Sequence, residues 1–323
     1  MASSSVVKLA QTASASRIVA GSSFSERGSG CGNLKCPGSV TLKPLPITKL
    51  FLEQSSCLRG HVSRCRAVVV TAIKDPAEQD SLKRAVARKA VELVQPGMVV
   101  GLGTGSTSSM AIEELGKLAQ NKLKDVQFVA TSYQSRVLSR QFGVKTMDLN
   151  DVNHIDIAFD GADEVDSNMN LIKGGGAAHT MEKVVDSIAK HCVILVDETK
   201  VVKTLGLTFP VPVEVLPFAL APVLRALAAL GGQPEIRTAL RKDGPVMSDL
   251  GNMIVDVRFP DGVKNPAELE RKINMIPGVV ENGLFVNVAH TVLVGTKDGE
   301  ETSVVTFADF VQTLRNSELE VSS

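Results

Sequence analysis

One stretch of the chain decides its fold class: residues 98–118 read MVVGLGTGSTSSMAIEELGKL. The apolar run at residues 98–102 predicts a short strand, and residues 103–107 predict a tight glycine-rich loop. From residue 108 to residue 118 the apolar residues return at helical spacing. A strand, a glycine-rich loop and a helix in this order are typical of an α/β protein built on parallel strands.

The same alternation continues on both sides of this stretch. It predicts a Rossmann-like, doubly wound and mainly parallel sheet, in which ligands bind beyond the carboxyl ends of the strands. The further predicted strands are residues 126–131, 144–147, 155–159 and 192–196, and the predicted helices are residues 75–94, 134–142 and 176–190.

A second pattern begins near residue 212. The predicted order there is strand, helix, strand, strand, helix, strand, which is typical of a small α+β module of the split-βαβ, ferredoxin-like type. We therefore expect a Rossmann-like domain that carries the site over residues 67–211, a smaller α+β domain over 212–285, and a return to the first domain over 286–323. The expected strands are residues 213–216, 235–238, 253–257 and 279–286, and the expected helices are 219–230 and 266–274.

Residues 1–66 differ in composition from the rest of the chain. They contain nine Lys or Arg, two acidic residues and thirteen Ser. A basic, Ser-rich and acid-poor N-terminus is typical of an organellar transit peptide, and its weak amphipathicity favours a chloroplast over a mitochondrial destination. We expect this segment to be disordered and removed between residues 64 and 72. The alternative is a basic tail that stays attached.

Charge and cysteine content restrict the partners. The whole chain has 35 basic and 35 acidic residues, so removal of residues 1–66 would leave 26 and 33. An acidic body disfavours nucleic acid as a partner, and no apolar run approaches the roughly 18–20 residues of a membrane helix. Cys192 would be the single cysteine of the body, which excludes an internal disulfide there.

Three loops contain the residues that could perform chemistry. The first consists of Gly103, Thr104, Gly105, Ser106 and Thr107. Its backbone N–H groups and hydroxyls stand at a helix N-terminus, which suits a phosphate or a carboxylate. It is not a Walker A motif, because no Lys follows the second Gly, and it lacks the third Gly of a dinucleotide fingerprint. The alternative is a turn in which Ser or Thr caps the helix.

The second loop follows the strand predicted at residues 155–159. It contains Asp160, Gly161, Ala162 and Asp163. Two carboxylates three residues apart around a Gly turn can bind sugar hydroxyls, hold a metal or shift each other's pKa. The pattern does not match a calcium-binding loop. The alternative is a solvated acidic turn.

The third loop contains Lys173, Gly174, Gly175 and Gly176. Three consecutive glycines are costly in conformational entropy, but they let several N–H groups approach an oxyanion.

Two further candidates lie beyond the loops. Glu182 follows on the next predicted helix and can face the same cleft, and Lys200 lies just past the strand at residues 192–196. The alternatives are a solvated helix face for Glu182 and an ordinary surface position for Lys200.

Together these groups could remove a proton next to the carbonyl of a phosphorylated sugar, with one group as base and donors that hold the enediolate. The motifs resemble those of type A ribose-5-phosphate isomerases, in family order over residues 75–306. The segments that carry the resemblance are VGLGTGST (100–107), DGADE (160–164), LIKGGGAA (171–178), PVEV (212–215), GGQP (231–234) and IPGVV (276–280).

The resemblance implies an aldose–ketose isomerase that interconverts ribose 5-phosphate and ribulose 5-phosphate through a cis-enediolate, without a metal or another cofactor. It implies that Glu182 is the catalytic base and that Asp160, Asp163 and Lys173 take part in catalysis. The three loops and Lys200 would bind the sugar phosphate. It also implies a homodimer and, with the leader, a form of the chloroplast stroma that serves the pentose phosphate pathway and the Calvin cycle.

Three other functions are weighed against this one. Binding of S-adenosylmethionine would favour a methyltransferase that uses the first loop. Binding of a sugar phosphate without turnover would favour a non-catalytic sensor. Loss of activity to a chelator would favour a metal-dependent phosphosugar isomerase, although we see no ligand set for a metal.

Overall fold

The computed structural model describes residues 75–119, 123–298 and 301–322. The predicted transit peptide and its cleavage region lie outside the described residues. Within the described ranges, no helix combines the length and the apolar character that a membrane span requires.

The first part of the described chain alternates helices and strands. Its strands are β1 (Val99–Leu102), β2 (Gln127–Ala130), β3 (Thr146–Met147), β4 (Ile155–Gly161), β5 (Glu164–Val165), β6 (Leu171–Ile172) and β7 (Ala189–Asp197). Its helices are α1 (Pro76–Val91), α2 (Ser106–Ala119), α3 (Tyr133–Gln141) and α4 (His179–Ile188).

The later part supplies a second group of elements. Its strands are β8 (Val211–Val215), β9 (Gln233–Ile236), β10 (Met253–Arg258), β11 (Val279–Asn282), β12 (Leu284–Phe285), β13 (Thr291–Asp298) and β14 (Glu301–Thr306). Its helices are α5 (Leu220–Ala229), α6 (Pro266–Asn274) and α7 (Phe307–Ser322).

The larger sheet has the strand order β14-β13-β7-β4-β1-β2-β3. All neighbours are parallel except the antiparallel pair β13 and β14, which confirms the predicted Rossmann-like, mainly parallel fold. Leu102 of β1 pairs with Phe159 of β4, and Phe159 pairs with Val193 of β7. The carboxyl ends of these three strands therefore lie side by side, and the loops that follow them meet at one edge of the sheet.

Helices α1 and α2 cover one face of the larger sheet. Val86 of α1 and Leu115 of α2 are buried in a cluster with Leu102 and Phe159. Helix α1 begins where the Asp75 side chain accepts a hydrogen bond from the backbone N–H of Ala77, an arrangement that satisfies one of the free donors of a first helical turn. This packing fixes the inner face of α1 close to the carboxyl edge of the sheet.

The smaller sheet is antiparallel and has the order β11-β8-β10-β9. With α5 and α6 it forms the strand–helix–strand–strand–helix–strand order of a ferredoxin-like module, as predicted. Its core includes Val213, Leu227, Val255 and Ile273, all fully buried.

Two of the differences from the prediction lie next to the site. The single strand expected over residues 279–286 is divided between two sheets, because β11 pairs with β8 whereas β12 pairs with β6. Gly283 lies at the division, where its carbonyl accepts a hydrogen bond from the Lys173 N–H at 2.9 Å. The helix expected over residues 176–190 begins only at His179, because Ala177 has a φ of 59°, which a helix does not allow.

Candidate active site

A cavity of about 250 Å³ opens at the carboxyl edge of β1, β4 and β7. All three loops singled out in the sequence meet there. The site residues predicted from the sequence that line the cavity are Thr104, Gly105, Ser106, Thr107, Gly161, Ala162, Asp163, Lys173, Gly174, Gly175, Gly176, Glu182 and Lys200. Asp160 lies behind the cavity wall instead.

Asp160 fastens the first loop to the end of β4. Its Oδ1 atom accepts hydrogen bonds from the Thr104 N–H at 3.1 Å, the Ser108 hydroxyl at 3.2 Å and the Gly161 N–H at 2.7 Å. The approach requires a glycine at position 103, since a Cβ atom there would lie 2.1 Å from the same oxygen. The carboxylate therefore holds the loop that faces the cavity.

Lys173 lies at the centre of a buried ion cluster. Its ammonium group lies 2.9 Å from Asp160 Oδ2 and 3.2 Å from Glu182 Oε2, and it donates to the Gly161 carbonyl at 2.6 Å. Burial alone would lower the pKa of Lys173, but the surrounding carboxylates outweigh burial and raise this pKa above its ordinary value. The ammonium group is therefore a permanent positive charge beside the cavity.

Glu182 reaches the same cluster from the first turn of α4. Its side chain is buried but borders the cavity. Burial, followed by the negative charge of Asp160, raises the pKa of Glu182 to about 8, against the opposing effect of Lys173. A carboxyl group with this pKa can accept and release a proton near neutral pH, which is the property that a general base requires.

Asp186 is one helical turn beyond Glu182 and is also buried. Among the described residues, no N–H or O–H group donates to either of its carboxyl oxygens. Burial and the charge of Asp160 raise the pKa of Asp186 well above its ordinary value, even though Lys173 lowers it. The cluster thus contains three carboxyl groups and one ammonium group, and burial favours the protonated form of Asp186.

The outer end of the cavity is built for an anion. Gly105 has a φ of 105°, and α2 begins directly after it, so the N-terminal amides of this helix face the opening. The Thr104 hydroxyl donates to the Ser132 hydroxyl at 2.7 Å, which steadies the loop from β2. Lys200 enters from the turn after β7.

The third loop is held on both sides. On one side the Gly175 N–H donates to Asp163 Oδ2 at 2.9 Å. On the other side Arg237 donates to the carbonyls of Gly174 and Gly175 at 2.9 and 3.0 Å. Burial raises the pKa of Asp163, although the hydrogen bond from Gly175 opposes this shift.

Sequence reasoning missed several residues at this site, among them Asp186 of the buried cluster and Asp197 of the cavity lining. Gln79 and Lys83 of α1 line the cavity, and Gln79 donates to Asp197 Oδ2 at 3.2 Å. Their spacing of four residues places them on one helix face, but only the packing of α1 shows that this face meets the cavity. Arg237 lies after β9 of the smaller sheet, and no local pattern connects it with the glycine loop.

The described side chains do not form a cluster suited to a metal ion. Within these ranges, no group of three or more His, Cys, Asp and Glu side chains is arranged to hold one. The arrangement instead offers a base, a fixed ammonium group and backbone N–H donors around one cavity.

Comparison with known proteins identifies related sequences. Residues 127–299 match the sequence model of the family described as ribose 5-phosphate isomerase A (phosphoriboisomerase A). The ribose-5-phosphate isomerase A of Thermosynechococcus vestitus is 59% identical over 215 residues, which cover 66% of this chain and 91% of the relative. The protein of the same name from Trichodesmium erythraeum is 52% identical over 235 residues, which cover 72% and 99%.

Solved structures agree with these sequence matches. Ribose 5-phosphate isomerase A of Methanocaldococcus jannaschii superimposes with a TM-score of 0.66 at 47% identity, covering 71% of this chain and 99% of that structure. A D-ribose-5-phosphate isomerase in complex with phospho-erythronic acid gives a TM-score of 0.67 at 42% identity, covering 70% and 98%.

Proposed function

The chain belongs to the ribose 5-phosphate isomerase A family, and on this premise we propose that Glu182 moves a proton between C2 and C1 of the open-chain sugar through a cis-enediolate. The activity of the family, interconversion of ribose 5-phosphate and ribulose 5-phosphate, makes this chain an isomerase. One observation carries the mechanism: Glu182 borders the cavity while its carboxyl group lies 3.2 Å from the Lys173 ammonium.

The outer end of the cavity binds the phosphate group. Support comes from the groups that line the cavity: Thr104, Ser106 and Thr107 around the start of α2, and the cationic side chains of Lys83 and Lys200. A helix N-terminus and nearby cations both favour a phosphate dianion. Binding energy from this unreactive group would hold the reacting carbons at the inner end.

Opening of the furanose ring requires a group that can exchange a proton with the ring oxygen or the anomeric hydroxyl. Asp163 lines the cavity and has a raised pKa, so it is better placed for this step than Asp160, which lies behind the wall. We therefore assign ring opening to Asp163 and assign to Asp160 the positioning of Lys173 and the first loop.

Isomerisation follows on the open-chain aldose. The Glu182 carboxylate takes the proton from C2, and the electron pair of that bond forms the C1–C2 double bond while negative charge moves to O1. Lys173 and the amides of the glycine loop stabilise this charge. The O2 hydroxyl proton then passes to O1, the C2–O2 bond becomes the carbonyl, and the electron pair of the C1–C2 double bond takes the proton back from Glu182 at C1, which gives the ketose.

The biological setting is proposed from the sequence. The basic, Ser-rich composition of residues 1–66 and the cyanobacterial relatives support a chloroplast stromal enzyme of the pentose phosphate pathway and the Calvin cycle. A homodimer is supported by the exposed apolar side chains of Phe218 and Met275 on the smaller domain. N-terminal sequencing of the stromal protein and light scattering of the purified chain test these two proposals.

The test of the function itself is a direct assay of the full chain. Purified protein is incubated with ribose 5-phosphate and excess EDTA, and formation of ribulose 5-phosphate is followed. We expect rapid conversion that EDTA does not reduce. Conversion that EDTA abolishes would mean a metal-dependent isomerase, and bound sugar phosphate without conversion would mean a sensor.

A further inference from the structure

Arg237 of the smaller sheet reaches across to the active-site loop. Its side chain is largely buried, and its Nε and Nη2 atoms donate to the two carboxylate oxygens of Asp256 at 2.8 and 2.5 Å. The remaining nitrogen, Nη1, donates to the carbonyls of Gly174 and Gly175. Because the guanidinium group is planar and rigid, Asp256 fixes the direction in which Nη1 points.

The peptide planes convert this contact into an orientation of the amides. In a trans peptide the N–H points opposite to the C=O of the preceding residue. Arg237 holds the Gly174 carbonyl, so the Gly175 N–H is directed away from it and meets Asp163 Oδ2. Arg237 also holds the Gly175 carbonyl, so the Gly176 N–H is likewise directed away from the arginine.

The Gly176 amide is available to a ligand. Gly176 lines the cavity, and no acceptor for its N–H is found in the described part of the chain. The next amide, that of Ala177, is already used in a hydrogen bond to the Gly174 carbonyl at 3.0 Å. A free, directed N–H group on the cavity wall is the kind of donor that stabilises a developing oxyanion.

A glycine loop needs an external restraint to keep this geometry. Glycine has more conformational freedom to lose than any other residue, and three stand in sequence here. Gly174 itself has a φ of 104°, and a Cβ atom there would lie 2.7 Å from His179 Nδ1, so larger residues could not stiffen the loop. Arg237 and Asp163 supply the restraint from outside.

We propose that Arg237 is a positioning residue for the isomerisation: together with Asp256 it clamps the glycine loop so that the Gly176 N–H faces the oxyanion of the enediolate. This role rests on the proposed enediolate mechanism, and it makes the smaller domain part of the catalytic machinery. The clamp acts on the transition state more than on the bound substrate, because the charge that it serves develops only during proton transfer.

The test compares Arg237→Ala and Arg237→Lys with Arg258→Met, which removes an exposed arginine from the same sheet. We expect Arg237→Ala to lower kcat roughly 10- to 100-fold with a change in KM below about threefold, by analogy with the loss of oxyanion donors. Free guanidinium ion should restore part of the activity of Arg237→Ala. Arg258→Met should keep wild-type kinetics.

Two inhibitors separate a directed loop from a generally damaged cavity. Phospho-erythronic acid carries a carboxylate where the enediolate oxygens would form, whereas inorganic phosphate occupies the phosphate end alone. Arg237→Ala should weaken phospho-erythronic acid about tenfold and inorganic phosphate less than twofold. Equal weakening of both inhibitors, or wild-type kcat with a lowered melting temperature, would reduce Arg237 to a structural ion pair and overturn the proposal.

Two further variants keep the outcome decisive. If Arg237→Ala does not fold, Asp256→Asn retains the arginine but loosens its anchor, and it should show the same loss of kcat on a smaller scale. An active Glu182→Gln variant together with an impaired Arg237→Ala variant would refute Glu182 as the base and leave the clamp standing. Wild-type inhibitor binding and kcat in Asp256→Asn would contradict the clamp.

Discussion

The two ends of the cavity differ in their contact with water. At the inner end the residues Asp160, Lys173 and Glu182 are 0%, 2% and 4% exposed. At the outer end Lys83 and Lys200 are half-exposed, and neither forms a salt bridge within the described residues. The inner charges are fixed by one another, whereas the outer charges are free to meet an incoming anion.

This difference separates chemistry from binding. In the poorly hydrated inner end, electrostatic effects are strong enough to bring a carboxyl pKa close to neutral pH. In the more exposed outer end, a Lys attracts a phosphate through its positive charge and takes no part in the proton transfer. Substitutions at the inner end should therefore act on kcat, and substitutions at the outer end should act on KM.

Glu182→Gln should have the largest effect. The amide keeps the size of the side chain but cannot accept the C2 proton, so kcat should fall about 10²- to 10⁴-fold while KM changes little. Steady-state assays of isomerisation measure both constants, with Glu268→Gln on the surface of α6 as the control. A correctly folded variant with near-normal kcat would remove Glu182 from the role of base.

The pH dependence should come next in size. Because Glu182 has a pKa of about 8 in the unliganded protein and acts in its ionised form, kcat/KM should rise with pH up to about 8. Below that value it should fall roughly tenfold for each pH unit, since the protonated fraction cannot act as a base. A pH–rate profile measured between pH 5 and 9 at constant ionic strength checks this expected pH dependence. A flat profile between about pH 6 and 8 would show that the essential group has an ordinary carboxyl pKa.

The outer lysines should show the opposite kinetic pattern. Replacing Lys83 or Lys200 by Met removes one charge-assisted contact to phosphate, so each KM should rise about tenfold with kcat lowered less than threefold. Lys264→Met on the smaller domain is the matched control. A loss confined to kcat in either variant would contradict the division between the two ends.

The sequence was sufficient to predict that the candidate loops gather at one edge of the larger sheet. Parallel strands place their carboxyl ends together, so the order strand, loop, helix was enough to bring Thr104 and Asp163 to one edge. Lys173 instead follows β6, an antiparallel strand of a separate small sheet, so strand direction alone does not account for its arrival at the same edge. Glu182 comes a few residues after the glycine loop, so its place near the start of the following helix could also be predicted. These features depend on local periodicity and on the direction of strands, which a sequence records directly.

Other features depend on packing that local sequence does not record. Asp160 and Asp163 belong to one short motif, yet only Asp163 lines the cavity. The Asp160 carboxylate instead packs against Gly103 and is covered by the first loop. Arg237 is 63 residues from Gly174 and lies in the other domain. Its contact with the loop is set by how the smaller sheet is placed, not by any motif around it.

The smallest expected effect is a change in the free energy of unfolding when Asp186, at the inner end of the cavity, is replaced. The pKa of Asp186 is raised in the folded state, so the folded protein holds a proton that the unfolded chain releases above the ordinary pKa of 3.8. The folded state therefore loses stability as the pH rises from that value toward the folded pKa, by about 1.4 kcal/mol for each pH unit. Asp186→Asn removes this ionisation, so the variant should gain stability over the wild type, and the gain should grow between pH 5 and 7.

Urea unfolding of both proteins at these two pH values measures the difference, with activity assayed alongside. We expect kcat within about twofold of wild type, because the amide resembles the protonated carboxyl group that burial favours. Asp166→Asn is the matched control, since Asp166 is also buried but accepts three hydrogen bonds, from the Asn168 and Asn170 N–H groups and the Asn170 side chain. Its replacement should lower stability by about 1–3 kcal/mol. If Asp186→Asn were destabilised in the same way at both pH values, Asp186 would be an ionised partner of Lys173, and the inner end would carry one more negative charge than its burial allows.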